Sequence, residues 1–344
     1  MLLPLRLQAA PPANKLRFRH DVSLTVSVAV GTPPQNVTMV LDTGSELSWL
    51  LCNGTGAPRP AAAFDVPASS TYATWRGRDL PVRPFCAAPP SDSCRVSLSY
   101  ADASSADTFL LGGAPPVPAL FGCVTSYYSA TGGGGGGGSN GTNSSEAATG
   151  LLGMNRGSLS FVTQTATHRF AYCIAPGDGP GLLVLGGDGL ALAPPLNYTP
   201  LIEIPQPLPY FDRVAYSVQL EGIRVGATLL PIPKSVLTPD HTGAGQTMVD
   251  SGTQFTFLLA EAYAALKAEF ANRTRALLAP LGEPGFVFQG AFDACFRAPE
   301  ARVAAACPQL PEQNVWVEYD LRNGRVGFAP ARCDLATERL GSGA

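Results

Sequence analysis

A motif that occurs twice constrains this chain more than any other feature. Asp42 begins the sequence Asp-Thr-Gly-Ser, and Asp250 begins the sequence Asp-Ser-Gly-Thr, 208 residues further along. In both copies an apolar residue, a hydroxyl residue, an aromatic residue and two leucines follow in the same register. This spacing is too long for a short repeat and indicates two homologous halves. A chain of 344 residues is long enough to give each half its own core.

Two carboxylates, one from each half, can meet at a pseudo-twofold axis. Close together they cannot both ionise, so one holds a proton while the other is charged. The charged carboxylate takes a proton from a trapped water, and the protonated one hydrogen-bonds to the substrate carbonyl. This chemistry predicts direct attack of water on an amide, with no covalent intermediate. The candidates are Asp42 and Asp250 as catalytic residues, with hydroxyls that hold them at Thr43, Ser45, Ser251 and Thr253, and with Gly44 and Gly252 to leave room and offer backbone N–H groups.

A single Asp-x-Gly sequence is weak evidence, because it also occurs in ordinary turns. Two copies with matched flanks favour a catalytic pair, since turns do not require the same aromatic and leucine positions downstream. The alternative of one motif per chain with catalysis in a dimer is disfavoured, because both copies lie in this chain. We therefore expect a monomer that acts on a protein or peptide substrate.

The composition predicts a mostly β fold. Only 14 % of residues are charged, 45 % are hydrophobic, and the chain contains 37 glycines and 32 prolines, which suits strands and turns. One amphipathic helix is predicted over residues 261–278, and a closing hairpin is predicted around Asn323-Gly324. The expected organisation is an N-terminal arm at 1–20, a first β lobe with Asp42 at 21–195, a Pro-rich connection at 196–215, a second β lobe with Asp250 at 216–335 and a tail at 336–344.

Charge and hydropathy exclude several kinds of partner. The net charge of −3 leaves no basic footprint for nucleic acid, and no apolar run is long enough to span a bilayer. The eight cysteines include no Cys-x-x-Cys pair, and the three histidines are far from them in sequence. We therefore expect neither a metal site nor a cofactor.

The cysteines and the Asn-x-Ser/Thr sequons predict a protein of the secretory pathway. An even cysteine count fits disulfides in an oxidising compartment, and the spacing of Cys86 and Cys94 suits a local disulfide loop. Six sequons, at Asn36, Asn53, Asn140, Asn143, Asn197 and Asn272, predict a glycoprotein. The first six residues lack the sustained apolar region of a signal peptide. The apoplast, the vacuole and the endoplasmic reticulum stay open as destinations.

Motifs outside the aspartate pair carry a resemblance to a known family. They are Val96-Ser-Leu-Ser-Tyr100-Ala-Asp, Phe121-Gly-Cys123, Gly150-Leu-Leu-Gly-Met-Asn-Arg-Gly157, Ala171-Tyr-Cys173 and Val315-Trp-Val-Glu-Tyr-Asp320. With these motifs the chain resembles the pepsin-like aspartic proteases of peptidase family A1. Within them it resembles the plant nepenthesin-like and atypical group, and most of all the subgroup typified by the promotion-of-cell-survival aspartic protease. The resemblance covers roughly residues 15–300 and the segment from Gln313 onward.

The resemblance implies a bilobal pepsin-like acid protease fold and an aspartic-type endopeptidase. It implies that Tyr100 is the flap tyrosine, which closes over the substrate. Trp49 would support that tyrosine, although a core aromatic is an equally good interpretation of Trp49. The strand Leu151-Leu152-Gly153 would back the catalytic loop of the first lobe.

The second lobe departs from the family pattern because it is short. Fewer residues separate Asp250 from Cys333 than separate Asp42 from the end of its backing strand at Gly153. No apolar-apolar-Gly strand is found in the second lobe, where residues 298–311 stand in its place. By the resemblance Cys295 loses its family partner, and Cys307 is either a substitute partner or a free thiol.

The alternative function is therefore a catalytically impaired protein on the same fold. Such a protein could be a pseudo-protease, a peptide-binding or inhibitor-binding module, or the product of a splice or gene-model variant. The intact pair of aspartates favours the enzyme, and the shortened second lobe favours the alternative. A lectin or wall-binding protein has only the sequons and the β-rich composition in its favour.

Overall fold

The computed structural model describes residues 2–9, 22–53, 62–74, 95–99, 105–113, 119–128, 148–175, 181–186, 194–253, 256–280, 296–297 and 314–336. These residues form a mostly β structure, as the composition predicts. In the first half the strands are β1 Leu2–Ala9, β2 Val22–Val30, β3 Gln35–Asp42, β4 Trp49–Asn53, β5 Phe64–Asp65, β6 Tyr72–Thr74, β7 Arg95–Ser99, β8 Ser105–Gly113, β9 Leu120–Tyr128, β10 Gly150–Gly153, β11 Arg169–Cys173 and β12 Gly181–Leu185.

The second half contains shorter strands and most of the described helical residues. Its strands are β13 Asn197–Pro200, β14 Ser217–Val218, β15 Arg224–Val225, β16 Thr228–Leu229, β17 Thr247–Met248, β18 Ala279–Pro280, β19 Phe296–Arg297, β20 Val315–Asp320 and β21 Arg325–Pro330. The α-helices are α1 Phe161–Gln164 in the first half, and α2 Lys234–Leu237 and α3 Ala260–Thr274 in the second; a 3-10 turn over Leu321–Asn323 joins β20 to β21. The closing hairpin predicted around Asn323-Gly324 is confirmed. None of the described helices is long and apolar enough to cross a membrane.

One large mixed sheet of 15 strands organises the first half. Its centre runs β2-β3-β10-β4-β9, and β3 lies beside β10 in parallel and beside β2 in antiparallel orientation. Alternation along β2 and β3 directs Leu24, Val26, Val37 and Met39 into the core, which is the period-2 pattern of a strand with one buried face. The same sheet carries the residue that ends β3, Asp42.

Close packing of β10 against β4 depends on a glycine. A Cβ atom at Gly150 would lie 2.5 Å from the carbonyl oxygen of Trp49, closer than a side chain can approach backbone. Because glycine has no Cβ, β10 can insert between β3 and β4 with all four of its residues buried.

The chain ends return to the same sheet. β1, within the predicted N-terminal arm, pairs with both β12 and β2, and β20 pairs with β11. β13 falls in the predicted inter-lobe connection and pairs with β21. The described part of the second half thus contributes its last strands to a sheet that begins in the first half.

An aromatic cluster fills the core where these strands meet. The rings of Phe170 and Tyr319 stack with centroids 4.5 Å apart, and the ring of Tyr216 lies 4.3 Å from that of Tyr319. All three side chains are fully buried. Aromatic pairs in such contact add about 0.5–1.5 kcal/mol beyond the burial of their area. The cluster therefore anchors the segment around Tyr216 to the large sheet.

The described strands of the second half outside that sheet form only two-stranded ladders, β14 with β17, β15 with β16 and β18 with β19. Helix α3, Ala260–Thr274, overlaps the helix predicted over 261–278. Tyr263 and Phe270 are 40 % and 41 % exposed, and Ala262 is the buried residue of this helix.

Two disulfides lie in the described residues. Cys52 is bonded to Cys123, joining β4 to β9, and Cys173 is bonded to Cys333, joining β11 to the segment after β21. Both bonds are buried, and the second closes a loop of 160 residues. The predicted Cys86–Cys94 bond, and the partners of Cys295 and Cys307, lie outside the described residues.

Candidate active site

Asp42 stands at the end of β3, where the neighbouring strand fixes its backbone. β10 runs parallel to β3 with Gly153 in register with Asp42. The N–H of Met154 then donates to the carbonyl oxygen of Asp42 over 2.8 Å, and the N–H of Asn155 donates to that of Ser45 over 3.0 Å. The apolar-apolar-Gly strand thus backs the first aspartate loop, where the resemblance places it.

Asp250 is delivered by the short strand β17. β17 pairs antiparallel with β14, and the N–H of Val249 donates to the carbonyl oxygen of Tyr216 over 3.0 Å. In the described residues β14 is the ladder neighbour of β17, whereas β3 has both β2 and β10. The second loop is therefore held on fewer sides than the first.

Reciprocal hydrogen bonds join the two loops. The N–H of Thr43 donates to the hydroxyl of Ser251 over 3.1 Å, and the N–H of Ser251 donates to the hydroxyl of Thr43 over 2.9 Å. The Ser251 hydroxyl also donates to the carbonyl oxygen of Leu41 over 2.9 Å. Both hydroxyl residues are buried, so these bonds are protected from competition with water.

Each carboxylate receives the same pair of donors from its own loop. The N–H of Gly44 donates to one oxygen of Asp42 over 2.8 Å, and the Ser45 hydroxyl donates to the other. The N–H of Gly252 donates to Asp250 over 2.9 Å, and the Thr253 hydroxyl donates to its second oxygen. Four predicted site residues therefore take equivalent positions around two carboxylates.

Glycine at positions 44 and 252 lets the carboxylates approach. A Cβ at Gly44 would lie 2.7 Å from the carboxyl carbon of Asp250, and a Cβ at Gly252 would lie 2.4 Å from an oxygen of Asp42. Either Cβ would force the opposite carboxylate away. Each glycine thus leaves space for the aspartate of the other half.

The proximity of the carboxylates changes the acidity of Asp42. Burial and, after it, the neighbouring charge of Asp250 raise the pKa of Asp42 from 3.8 to about 6. The hydrogen bonds from Ser45 and Gly44 act the opposite way, because they favour the ionised form. Asp42 is 8 % exposed and Asp250 is more open, which makes the pair asymmetric.

The other two predicted site residues differ in what the structure shows. Trp49 is buried in a cluster with Val124 and Leu151, and Leu98 of β7 packs against that cluster. Trp49 thus lies in the core and also beside the hairpin of β7 and β8. This position agrees with both interpretations of Trp49, a core aromatic and a support for the flap tyrosine. Tyr100 follows β7 directly but lies outside the described residues.

Sequence reasoning missed several residues that support the site. Glu46 accepts a hydrogen bond from the N–H of Leu159 over 2.8 Å and so ties the first loop to the segment after β10. The Tyr216 hydroxyl donates to the carbonyl oxygen of Met154 over 2.6 Å, and Arg156 contacts the segment before Tyr216. The quoted motif Gly150–Gly157 contains Arg156, but no local pattern indicates its partners, which lie 47 to 59 residues away.

The described residues contain no cluster of three His, Cys, Asp or Glu side chains that could hold a metal ion. The donor set of the site is two carboxylates whose remaining contacts are hydroxyls and N–H groups. Such an arrangement can share a proton and orient a water molecule.

Comparisons with known proteins point to one family. The profiles described as "Xylanase inhibitor N-terminal" and "Xylanase inhibitor C-terminal" match residues 24–187 and 215–312. Aspartic proteinase PCS1 of Arabidopsis thaliana is 43 % identical, over all of this chain and 90 % of its own length. Aspartic proteinase nepenthesin-1 of Nepenthes gracilis is 28 % identical, over 92 % of this chain and 79 % of its own length. The crystal structure of edgp superposes with a TM-score of 0.59 at 15 % identity, over 98 % and 96 % of the two chains.

The alignment with the Arabidopsis relative also bears on length. It runs over 420 positions, although this chain has 344 residues. The relative therefore has residues at positions for which this chain has no counterpart.

We predict that Ser251→Ala lowers the free energy of unfolding by about 1–3 kcal/mol, because it leaves the N–H of Thr43 and the carbonyl of Leu41 buried without this partner. Urea unfolding followed by fluorescence measures the difference. Ser235→Ala in helix α2 is the control, since that serine is exposed. Equal stability of the two variants would contradict the importance of the reciprocal bonds.

We also predict that the contribution of Asp42 to stability is lost as the pH rises from about 4 to about 6. In this window the unfolded state releases the Asp42 proton first, because the folded pKa is the higher one. The difference of about two pH units corresponds to about 3 kcal/mol. Asp42→Asn removes this contribution, so urea unfolding at pH 4 and pH 7 should show a smaller loss for the variant. Parallel losses in both proteins would disprove the raised pKa.

Proposed function

Since this chain belongs to the pepsin-like aspartic proteases, we propose that it is an aspartic-type endopeptidase that hydrolyses peptide bonds in proteins. Asp42 and Asp250 are the catalytic pair of this proposal. The observation that carries it is the equivalence of the two loops, in which each carboxylate receives one glycine N–H and one hydroxyl and each glycine makes room for the opposite carboxylate.

The mechanism follows from one proton shared by two carboxylates. Burial and the charge of Asp250 favour the proton on Asp42, which leaves Asp250 ionised. A water between the two carboxylates gives a proton to Asp250 as its oxygen bonds to the substrate carbonyl carbon. Asp42 gives its proton to the carbonyl oxygen, and a neutral tetrahedral diol forms.

Collapse of the diol completes the reaction. Asp250 returns its proton to the amide nitrogen, the carbon–nitrogen bond breaks, and a diol hydroxyl passes its proton to Asp42 as the carboxylic acid product forms. The two aspartates then hold one proton again, and no covalent enzyme intermediate is required. The donors at Gly44, Ser45, Gly252 and Thr253 keep the carboxylates oriented through this cycle.

We propose that a peptide substrate binds beneath the hairpin of β7 and β8. This hairpin pairs with β9 and leads into Tyr100, which we propose as the flap residue over the substrate. Trp49 would stabilise the base of the hairpin through Leu98. We propose that the chain acts as a monomer, since it contains both aspartates itself.

We propose a secretory-pathway location. The disulfides Cys52–Cys123 and Cys173–Cys333 are favoured in an oxidising compartment. Among the described sequons, Asn36, Asn197 and Asn272 are exposed and accessible to a glycosyl transferase.

A second candidate function is a catalytically impaired binding protein. Large apolar side chains are exposed in the second half, where Phe257 is 79 % and Leu277 is 55 % exposed. An exposed surface of this kind marks a lobe whose core is incomplete or a site of association. The name of the matching profiles, xylanase inhibitor, fits a protein that binds through this fold without cleaving peptides.

Cleavage of a fluorogenic peptide across pH 3 to 8 separates the two functions. We expect activity below about pH 6 and a fall of about tenfold for each further pH unit, because ionisation of Asp42 removes the shared proton. Asp42→Asn and Asp250→Asn should each lower kcat by at least about a thousandfold. Asp334→Asn, which alters an exposed carboxylate paired with Arg332, is the matched control. A folded wild-type protein without cleavage at any pH would reject the protease and favour the binding protein.

A further inference from the structure

We infer that Tyr216 and Arg156 form a clamp that sets the separation of Asp42 and Asp250. This inference rests on the proposed function, because it deepens the account of the same site. Tyr216 and Arg156 are positioning residues: neither contacts the carboxylates, and each acts through the backbone on which a carboxylate is carried.

The side chain of Tyr216 contacts the loop of Asp42. Its hydroxyl donates to the carbonyl oxygen of Met154 over 2.6 Å, and the N–H of the same Met154 donates to the carbonyl oxygen of Asp42 over 2.8 Å. The tyrosine is fully buried, and burial raises its pKa well above the ordinary value, so the hydroxyl keeps its proton. Tyr216 therefore holds the residue that backs Asp42.

The main chain of Tyr216 contacts the loop of Asp250. Its carbonyl oxygen accepts the N–H of Val249 over 3.0 Å, and the next residue, Ser217, pairs with Met248 in the ladder of β14 and β17. Val249 immediately precedes Asp250. Tyr216 thus bonds to a residue next to each aspartate loop: its hydroxyl bonds to Met154, and its backbone carbonyl bonds to Val249.

Arg156 fixes the segment that leads into Tyr216. Its guanidinium donates to the carbonyl oxygens of Arg213 and Ala215, each over 3.0 Å. Its backbone N–H donates to the carbonyl oxygen of Val214 over 2.9 Å. A further guanidinium nitrogen lies 3.0 Å from a carboxylate oxygen of Glu203. The Arg156 side chain is 17 % exposed, and its bond to the carbonyl of Ala215 is partly buried, whereas its bonds to Arg213 and Glu203 are exposed. The segment before Tyr216 is thereby attached to the residues that follow β10.

The clamp matters because the two aspartate loops are held unequally. β3 lies between two ladder neighbours, whereas in the described part of the chain β17 is paired with β14 alone. Since β14 begins directly after Tyr216, a movement of this tyrosine moves the ladder that carries Asp250. A displacement of about 1 Å between catalytic groups can lower a rate on the order of a hundredfold.

Tyr216→Phe tests the clamp, because it removes one hydroxyl and preserves the ring in the aromatic cluster. The matched control is Tyr198→Phe, which removes a hydroxyl that donates to Glu318 over the same 2.6 Å at the far edge of the sheet. For each full-length variant we would measure kcat and KM on a peptide and titrate the Asp42 carboxyl by NMR. Asp250 is the titratable group that faces Asp42 from the opposite loop, and the Glu46 carboxylate, four residues along the loop of Asp42, is directed to the N–H of Leu159.

We expect Tyr216→Phe to lower kcat on the order of tenfold with KM changed less than about twofold, since the reacting groups shift while the cleft remains. The pKa of Asp42 should fall from about 6 toward its ordinary value, because Asp250 and the buried surroundings move away. Tyr198→Phe should leave both quantities unchanged at a similar loss of stability.

Arg156→Lys tests the second part of the clamp and replaces Tyr216→Phe if that variant does not fold. Lysine keeps the charge but cannot bond two carbonyls and a carboxylate with a planar fork, so we expect the same direction of change. An unchanged Asp42 titration in a folded Tyr216→Phe or Arg156→Lys protein would overturn the clamp. If the wild-type chain cleaves no peptide, the proposed function fails, and the titration still decides the clamp independently.

Discussion

The structure depends on the hydrogen bonds that Thr43 and Ser251 exchange across the centre of the molecule. Each residue donates its backbone N–H to the hydroxyl of the other, and the Ser251 hydroxyl also donates to the carbonyl oxygen of Leu41. These bonds are buried, so breaking one would leave a donor or acceptor without water to replace its partner. The carboxylates of Asp42 and Asp250 are brought together because the residues that follow them are joined in this way.

The two halves support this centre unequally. Behind Asp42 lie the parallel strand β10, a glycine that lets that strand insert, and a disulfide, Cys52–Cys123, between the following two strands of the sheet, β4 and β9. Behind Asp250 the described structure provides a two-residue ladder and the backbone of Tyr216. Apolar side chains on and near helix α3 are exposed, and this agrees with the weaker support of Asp250, since a half with fewer packed strands buries less apolar surface. The proposed catalysis therefore depends most on the half with the weaker support.

Much of the site could be predicted from the sequence because its information is local. The repeated Asp, hydroxyl and Gly positions are adjacent in the chain, and the strands before Asp42 show the alternation of a half-buried sheet. Tyr216 and Arg156 could not be found in this way, since their roles depend on partners that only the tertiary fold brings close. The exposure of Tyr263 and Phe270 could not be predicted for a related reason: helical periodicity shows that a face is apolar but not whether another element covers it.

Calorimetric titration with a peptide that carries a hydroxyl in place of the scissile carbonyl tests the central claim most directly. If Asp42 and Asp250 form one site, the full-length protein should bind this transition-state mimic with one-to-one stoichiometry. Binding should then weaken by at least about a hundredfold in Asp42→Ala and in Asp250→Ala alike. Binding that survives either substitution in a folded protein would show that the two aspartates do not act together, and would contradict the account.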